Sequence, residues 1–199
     1  MHYPKSIKKL VEQFAKLPTV GPRTAERYVF YLLKQNQNYL NEFSDALKNL
    51  KKEIKICKIC GAVAEKEYCD ICSSSNRNHS IICVVANTRD MISIEDTHEF
   101  NGVYHILGGL IDHINDFGPE KLNIKALETK IKNENIEEII LALNPNIEGE
   151  TTSMYIQKLF SDKNITISRI ARGLPVGADI EYADNTTISN ALKFRNKLK

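Results

Sequence analysis

The chain has 199 residues, of which 42% are hydrophobic and 26% are charged. These values are typical of one medium globular domain or two small ones, and no apolar run approaches the ~20 residues that span a bilayer. The net charge is +2, but residues 1–60 hold 12 basic and 5 acidic side chains, whereas residues 61–199 hold 15 and 20. The basic front of the chain predicts an anionic partner, foremost nucleic acid, and the alternative is a solvated lysine face.

The first predicted element is an amphipathic helix over residues 5–17, whose apolar side chains recur with the 3.6-residue helical period. Gly21 supplies a turn, and Pro22 suits the first position of a second helix. Arg23 and Arg27 lie four residues apart, so they share one face of that helix. The arrangement resembles a helix-hairpin-helix motif, in which N–H groups at a helix N-terminus bind DNA phosphates without reading bases.

The hairpin predicts sequence-independent, salt-sensitive DNA binding, and the alternative is an ordinary helix pair in a bundle with surface arginines. One position departs from the usual motif, because Thr19 stands where such loops usually carry glycine. Threonine has poor access to positive φ. We therefore expect a looser or differently shaped loop in this chain.

A third helix is predicted over residues 39–52, and it leads into two Cys-x2-Cys pairs. Cys57 and Cys60 form the first pair, and Cys69 and Cys72 form the second, with eight residues between the pairs. Each pair can present two thiolates from one tight turn, so four sulfurs can converge on one tetrahedral Zn²⁺ at roughly 2.3 Å. Four cysteine ligands leave no position for water or substrate. The spacing therefore predicts a small ribbon with a structural zinc ion.

The alternative for the four cysteines is a pair of disulfides in a secreted domain. The chain opens on a polar amphipathic segment and shows no signal peptide, which favours the reduced thiols of the cytosol. Gly61 is expected to take a positive φ directly after the first pair, and Cys83 is expected to be a small buried hydrophobe. Three lysines near the pairs are expected to offset the negative charge of the metal site: Lys55, Lys58 and Lys66.

After a polar linker over residues 73–79, short apolar runs alternate with helical segments. Strands are predicted over residues 81–85, 103–107, 138–143 and 165–170, and helices over residues 89–96, 124–133, 150–162 and from residue 187 or 188 onward. This alternation predicts an α/β domain with a mainly parallel sheet covered on both faces. Ligands of such sheets meet the carboxyl ends of the strands, which draws attention to residues 86–90, 108–109 and 144–150.

The end of the chain is basic, with Lys193, Arg195, Lys197 and Lys199 close together. A packing arm, a subunit contact and a second basic surface are all compatible with this stretch. A solvated helix end is the remaining alternative.

In their order along the chain these features resemble the RecR family of bacterial recombination mediator proteins. The features are Leu17-Pro-x-Val-Gly-Pro, the four-cysteine ribbon, the α/β domain and Arg172-Gly-Leu-Pro-Val-Gly177. The resemblance covers essentially the whole chain. It implies a helix-hairpin-helix DNA-binding region over residues 1–55, a four-cysteine zinc finger over 56–79, a Toprim-like α/β domain over 80–176 and a C-terminal arm with a helix over 177–199.

The resemblance also implies a function and its residues. Relatives form a ring-like homotetramer in the cytoplasm, at the nucleoid, and act with RecO and RecF to load recombinase onto gapped DNA. Arg23 and Arg27 match the family's DNA-facing positions, for double- and single-stranded DNA. Glu148 and Glu150 match the family segment Asn-Pro-x-x-Glu-Gly-Glu, and Asp90 matches an acidic position after the first strand. We expect these carboxylates to face a basic partner such as RecO, and the alternative is that they stabilise a helix N-terminus near residue 150.

A Toprim domain raises a second hypothesis, a Mg²⁺-dependent nuclease or topoisomerase-like enzyme. Toprim enzymes hold Mg²⁺ with a glutamate after strand one and an Asp-x-Asp after strand three. Here those positions are Ala86 and Asn144-Pro145-Asn146, and the remaining carboxylates are too few and wrongly placed for a two-metal site. We therefore expect a non-catalytic DNA clamp with no catalytic residue. RNA binding by the zinc ribbon is a third reading, and charge alone does not decide against it.

Overall fold

The computed structural model describes residues 3–197, so the outer bounds predicted at residues 1 and 199, and the Lys199 side chain, lie outside it. The chain divides into two compact units, of which the first ends at Ile54 and the second begins at Lys55. Within residues 3–197, no helix is long and apolar enough to cross a membrane.

Within residues 3–54, the first unit consists of three helices: α1 (Lys5–Phe14), α2 (Pro22–Leu32) and α3 (Gln37–Glu53). α1 ends three residues earlier than predicted, because the N–H of Leu17 donates to the carbonyl of Phe14 and tightens the chain into a turn. α3 begins two residues earlier than predicted, because the Asn36 side chain accepts a hydrogen bond from the N–H of Tyr39 at 2.9 Å.

The loop between α1 and α2 overturns the expectation for Thr19. Its φ is 65°, so the threonine takes the left-handed conformation that glycine usually supplies. The N–H of Val20 donates to the carbonyl of Leu17 at 3.1 Å and closes the turn. Gly21 has an ordinary φ of −79° and is the N-cap of α2. The loop therefore keeps the hairpin shape, and the backbone strain lies at Thr19.

Replacing Thr19 with glycine is expected to raise the free energy of unfolding by about 1 kcal/mol. A left-handed backbone costs a residue with a Cβ ~1–2 kcal/mol, and the greater freedom of glycine in the unfolded chain offsets part of the gain. Urea unfolding followed by circular dichroism measures the change. The control is Gly21→Ala, whose added Cβ would meet no atom within 4 Å. Equal stabilisation by both substitutions would contradict strain at Thr19.

The second unit contains two sheets. β1 (Lys55–Ile56) and β2 (Val63–Ala64) form a short antiparallel ribbon. The larger sheet has the strand order β4-β3-β5-β6, with all neighbours parallel. Its strands are β3 (Asn78–Val85), β4 (Gly102–Ile106), β5 (Glu138–Leu141) and β6 (Thr166–Arg169). The predicted α/β class with a parallel sheet is confirmed.

In the described part of the second unit, residues 55–197, five helices accompany these sheets: α4 (Asp70–Ser73), α5 (Thr88–Glu95), α6 (Ile124–Asn133), α7 (Ile147–Leu159) and α8 (Asn185–Lys193). Short 3-10 turns lie at Pro119–Lys121 and Ile180–Tyr182. α7 begins three residues before the predicted start, because the Asn146 side chain accepts from the N–H of Gly149 at 2.9 Å. Asp184 begins α8 in the same way, by accepting from the N–H of Thr187.

Alternate residues of the central strand β3 belong to two hydrophobic clusters. Ile82 and Val84 pack with residues of α6 and α7, whereas Cys83 and Val85 pack with the cysteine ribbon and Met91 of α5. Strand side chains alternate between the two faces of a sheet, so both faces of β3 are covered. Cys83 is 2% exposed, and burial raises the pKa of its thiol to about 12. This confirms Cys83 as a buried small hydrophobe.

Candidate metal centre and nucleic-acid interface

The four cysteines of the ribbon come together in space. The sulfur atoms of Cys57, Cys60, Cys69 and Cys72 all lie within 4.8 Å of one another. Three of these residues are buried, and Cys69 is partly exposed. All are free thiols, so the disulfide alternative finds no support in the geometry.

Backbone N–H groups point at these sulfurs from tight turns. The N–H of Cys69 approaches the Sγ of Cys57 at 3.3 Å, and the N–H of Cys72 approaches the Sγ of Cys69 at 3.4 Å. The N–H of Ala62 lies 3.5 Å from the Sγ of Cys60. Gly61 makes this turn with a φ of 79°, as expected from the sequence. Such donors stabilise negative charge on sulfur.

The pKa shifts of three of the four thiols favour a bound cation. A hydrogen bond from the Cys72 thiol is the largest cause that lowers the pKa of Cys60, to about 5. Burial raises the pKa of Cys69 to about 11, and the hydrogen bond to the Cys60 sulfur raises the pKa of Cys72. One thiolate thus suppresses ionisation of its neighbours, and a central cation is needed to hold four sulfurs deprotonated. Thiolate donors in this number suit Zn²⁺.

Two nearby lysines do not serve the metal site as expected. The Nζ of Lys58 pairs with the Oε1 of Glu67 at 2.6 Å, and the Nζ of Lys66 pairs with the Oδ1 of Asp70 at 3.1 Å. Their charge is therefore balanced by carboxylates of the ribbon itself. The expectation that Lys58 and Lys66 offset the thiolates is wrong, because the sequence does not show which opposite charge each lysine reaches.

The ribbon packs on the larger sheet and is not a separate body. The N–H of Ile106, at the end of β4, donates to the carbonyl of Cys60 at 2.7 Å. The N–H of Val63 donates to the Oγ1 of Thr88 at 3.1 Å. The cysteines share one hydrophobic cluster with Tyr104 and other sheet residues. The position of the metal site is therefore fixed relative to the α/β domain.

An ion pair that the sequence did not reveal holds the linker behind the ribbon. The guanidinium of Arg77 forms a salt bridge with Glu95 of α5 and donates to the carbonyl of Phe100 at 2.9 Å. Glu95 also accepts from the hydroxyl of Tyr104 at 2.9 Å. In the sequence Arg77 is one basic residue in a polar linker, and no local signal indicates its partner.

The three carboxylates proposed for partner binding follow carboxyl ends of the parallel strands. The carboxylate of Asp90 accepts from the Nδ2 of Asn87 at 2.8 Å. Glu148 and Glu150 lie in the first turn of α7, where negative charge stabilises a helix. Glu150 is already engaged by two arginines, because it forms salt bridges with Arg172 and, at 3.4 Å, with Arg169.

The pairing of Glu150 has an electrostatic consequence. The hydrogen bond from the Arg172 guanidinium is the main cause that lowers the pKa of the Glu150 carboxyl. Sequence reasoning did not identify Arg169 or Arg172 as its partners, since both lie about twenty residues away in the chain. Within residues 3–197, Glu148 forms no salt bridge. The two glutamates are therefore not equivalent.

The positions at which Toprim enzymes hold Mg²⁺ carry other groups here. Ala86 is 5% exposed, and its carbonyl accepts from the N–H of Gly108 at 3.0 Å. Asn146 caps α7 through its side chain. Gly149 is required in the same loop, because a Cβ there would collide with the carbonyl oxygen of Asn144. A buried methyl group and a capping amide supply no carboxylate ligand.

The DNA-binding candidates Arg23 and Arg27 are both exposed on α2. The buried face of the same helix carries Ala25, Val29 and Leu32, so the arginines lie away from the core. In the described part of the chain, neither arginine forms a salt bridge. Both guanidinium groups are therefore available to an anion.

A helical hairpin with exposed arginines, a four-sulfur site and a parallel α/β domain together define a zinc-containing helix-hairpin-helix protein of the Toprim type. Comparison with protein families agrees part by part. The chain matches the Toprim domain over residues 80–171, and three parts of RecR: the helix-hairpin-helix over 7–51, the four-cysteine zinc finger domain over 54–74 and the C-terminal part over 173–196. The chain belongs to the RecR family.

Membership has three direct consequences. The zinc-finger match and the four-sulfur cluster together identify a structural zinc site. The helix-hairpin-helix match suggests DNA binding. The combination of domains supports a role in DNA recombination and repair.

Proposed function

We propose that this protein is a non-catalytic, ring-shaped homotetrameric DNA clamp that acts with RecO and RecF to load recombinase onto gapped DNA in the cytoplasm, at the nucleoid. The ordered match to the Toprim domain and to three parts of RecR carries the proposal. In it, residues 1–55 grip DNA, residues 56–79 hold zinc through Cys57, Cys60, Cys69 and Cys72, residues 80–176 present a partner surface, and residues 177–199 form an arm.

The physical basis of the grip is the start of α2. Gly21 caps this helix without a side-chain hydrogen bond, so the first-turn N–H groups are available to a phosphate. Arg23 and Arg27 flank that position and add charge without reading bases. One hairpin makes few phosphate contacts, and several copies in a ring add avidity. The result is sequence-independent binding of single- and double-stranded DNA.

The double variant Arg23→Ala, Arg27→Ala is expected to bind gapped DNA roughly ten- to a hundred-fold more weakly at low salt, with a shallower salt dependence. Each lost phosphate contact removes about 0.9 from the slope of log affinity against log salt on duplex DNA. Fluorescence anisotropy over a salt series measures both quantities. The charge-matched control is Arg89→Ala, Lys125→Ala, which alters exposed residues of α5 and α6. Unchanged affinity and slope in the arginine variant would show that the hairpin is not the contact.

The absence of catalysis is tested on the same substrates. Nicked, gapped and supercoiled DNA incubated with the protein and Mg²⁺ should stay chemically unchanged. The support is the chemistry at the strand ends, where Ala86 and the Asn144 to Asn146 loop replace the acidic residues of Toprim enzymes. Metal-dependent cleavage or ligation would overturn this part of the proposal and favour the enzyme hypothesis.

The partner surface in this proposal consists of Glu148, Glu150 and Asp90, facing a basic surface of RecO. Glu148 carries the larger role, because Arg169 and Arg172 already neutralise Glu150. Glu148→Gln is expected to weaken RecO binding about ten-fold, as removal of one interfacial charge commonly does. Calorimetry with purified RecO measures the affinity. The control is Glu134→Gln, an exposed carboxylate after α6, and an equal effect of both substitutions would contradict a specific role for Glu148.

A further inference from the structure

The two edges of the larger sheet differ in how they are covered. Strand β4 forms one edge and is buried along its whole length. The zinc ribbon contacts the carboxyl end of this strand, since the N–H of Ile106 donates to the carbonyl of Cys60. Strand β6 forms the other edge, and none of its four residues is buried. An uncovered strand edge is a template for pairing with another chain.

The hydrogen bonds of β6 show which of its backbone groups remain unpaired. The N–H of Thr166 donates to the carbonyl of Glu137 at 2.9 Å, and the N–H of Ile170 donates to the carbonyl of Leu141 at 3.3 Å. Because the pattern repeats every second residue, Ser168 also faces β5. The N–H and C=O groups of Ile167 and Arg169 therefore point away from the sheet. In the described part of the chain, those two N–H groups have no acceptor outside the strand ladder.

We propose that β6 pairs antiparallel with β6 of a second copy of this chain, about a two-fold axis that passes beside Ser168. In this register Ile167 of each copy lies opposite Arg169 of the other copy. Two outward residues on each side then exchange N–H···O=C bonds, as in a hydrogen-bonded antiparallel pair. Ser168 lies opposite Ser168 in the non-hydrogen-bonded pair between them. Two four-stranded sheets become one continuous sheet.

The side chains of β6 favour this register over the two registers whose two-fold axis lies one residue away. An axis beside Arg169 would place two arginines directly opposite, and like charges in that position destabilise a strand pair. An axis beside Ile167 would leave only one hydrogen-bonded pair within the four-residue strand. The axis beside Ser168 places two small side chains opposite each other, each with its hydroxyl already donating to Glu138 at 2.6 Å, and it pairs Thr166 with Ile170. The same strand is therefore complementary to itself, which is the requirement of an isologous interface.

The surface next to β6 supports a partner on this side. A groove of about 270 Å³ lies between α7 and β6, and its lining includes Met154, Gln157, Ile167 and Arg169. Met154 is 68% exposed. A two-fold axis perpendicular to the sheet keeps each α7 on the same face, so a second copy places its own α7 beside this groove. Burial of Met154 and its counterpart would add apolar contact to the strand pairing.

This pairing deepens the proposed function by naming one subunit interface of the ring, and it rests on that proposal only in requiring more than one copy. The DNA-binding test uses Arg23 and Arg27 in the first unit, whereas β6 lies in the second unit. The two tests therefore fail independently. Loss of β6 pairing would open the proposed ring but leave the phosphate contacts of each hairpin in place, and loss of DNA binding would leave the β6 interface intact.

Cysteine cross-linking tests the register. Residues opposite in a non-hydrogen-bonded pair have Cα atoms about 4.5 Å apart, within the range that a disulfide accepts. Ser168→Cys is therefore expected to give a covalent dimer as the main species when glutathione disulfide is the oxidant, on a gel without reductant. Thr166→Cys is the matched control, because residue 166 lies opposite Ile170 and not opposite itself. The unmodified chain, with its five native cysteines, controls for cross-links through the zinc site.

Hydrogen exchange provides a second measurement that needs no substitution. The amides of Ile167 and Arg169 should become protected as the protein concentration rises through the association range, while those of Thr166 and Ser168 stay protected throughout. Equal cross-linking of the two cysteine variants, no dimer from Ser168→Cys, or amide protection of Ile167 and Arg169 that is independent of concentration would each overturn the proposal. Protection that appears only on addition of RecO would assign the edge to a partner protein instead.

Discussion

Cys60→Ser is expected to abolish stoichiometric zinc binding and to cost the second unit roughly 5 kcal/mol or more of its free energy of unfolding. Structural zinc sites contribute on the order of 10 kcal/mol to the folding of small domains, and whole domains have only ~5–15 kcal/mol to lose. The effect should spread beyond the ribbon, because the backbone carbonyl of Cys60 accepts from the N–H of Ile106 at the end of β4. The Cys60 side chain also belongs to one hydrophobic cluster with residues of the sheet. Zinc content by mass spectrometry of the metal and thermal unfolding measure the two losses.

Cys83→Ala is the matched control for this prediction. Cys83 is equally buried and belongs to the same cluster, but its sulfur is not among the four that converge. It should keep one zinc per chain and lose about 1 kcal/mol, the cost of a small core truncation. Treating the unmodified protein with a chelator should reproduce the Cys60 effect. A Cys60→Ser protein with full zinc content would refute the four-ligand assignment.

Acidification below pH 6.5 is expected to destabilise the folded chain well before the carboxylates titrate. His105 on β4 is fully buried, and its Nε2 donates to the carbonyl of Asn123 at 2.8 Å. Burial is the main cause that lowers the pKa of His105 to about 4, and Lys130 of α6 lowers it further. Because the unfolded histidine has a pKa near 6.5, the unfolded state binds the extra proton first. The contribution of neutral, buried His105 to the free energy of unfolding is complete above pH 6.5 and is lost as the pH falls towards 4.

The loss amounts to ~1.4 kcal/mol for each pH unit in that window, or ~2–3 kcal/mol between pH 6.5 and 4.5. Urea unfolding at closely spaced pH values measures the slope. His105→Gln keeps an amide donor for Asn123 but cannot titrate, so its stability should be nearly flat over the same window. His79→Gln is the control, because the His79 ring is exposed in the folded chain. An unchanged slope in His105→Gln would contradict the prediction.

Local signals explain what could be predicted from the sequence. The cysteine spacing identified the metal cluster, because each pair lies within one turn and the turns need only a short ribbon to meet. The alternation of short apolar runs with helical segments predicted the parallel sheet, since apolar residues recur with a different period in buried strands and in amphipathic helices. The start of α2 was also predictable, because Pro22 fits only the first turn of a helix.

Contacts between distant residues could not be predicted. Glu150 was proposed for a partner from its place in a motif, yet Arg172, far along the chain, forms a salt bridge with it. The Arg77–Glu95 pair has the same character. Thr19 shows a different failure, because its intrinsic preference argued against positive φ, yet it has a φ of 65° in the turn that the hydrogen bond from Val20 to Leu17 closes. Features that depend on a single helix, strand or turn could therefore be predicted from the sequence. Contacts between side chains of two separate elements could not.

The zinc ribbon across β4 also limits how the protein can assemble. With the zinc ribbon at the carboxyl end of β4, strand pairing through the proposed β6 interface joins only two copies, and further subunits of the proposed ring must attach through other surfaces. If the metal were lost and the ribbon detached, both margins of the sheet would accept strands, and head-to-tail addition could continue without end. Metal loss should then produce fibrous aggregates and not merely unfolded monomers, so bound zinc would prevent polymerisation as well as stabilise the fold.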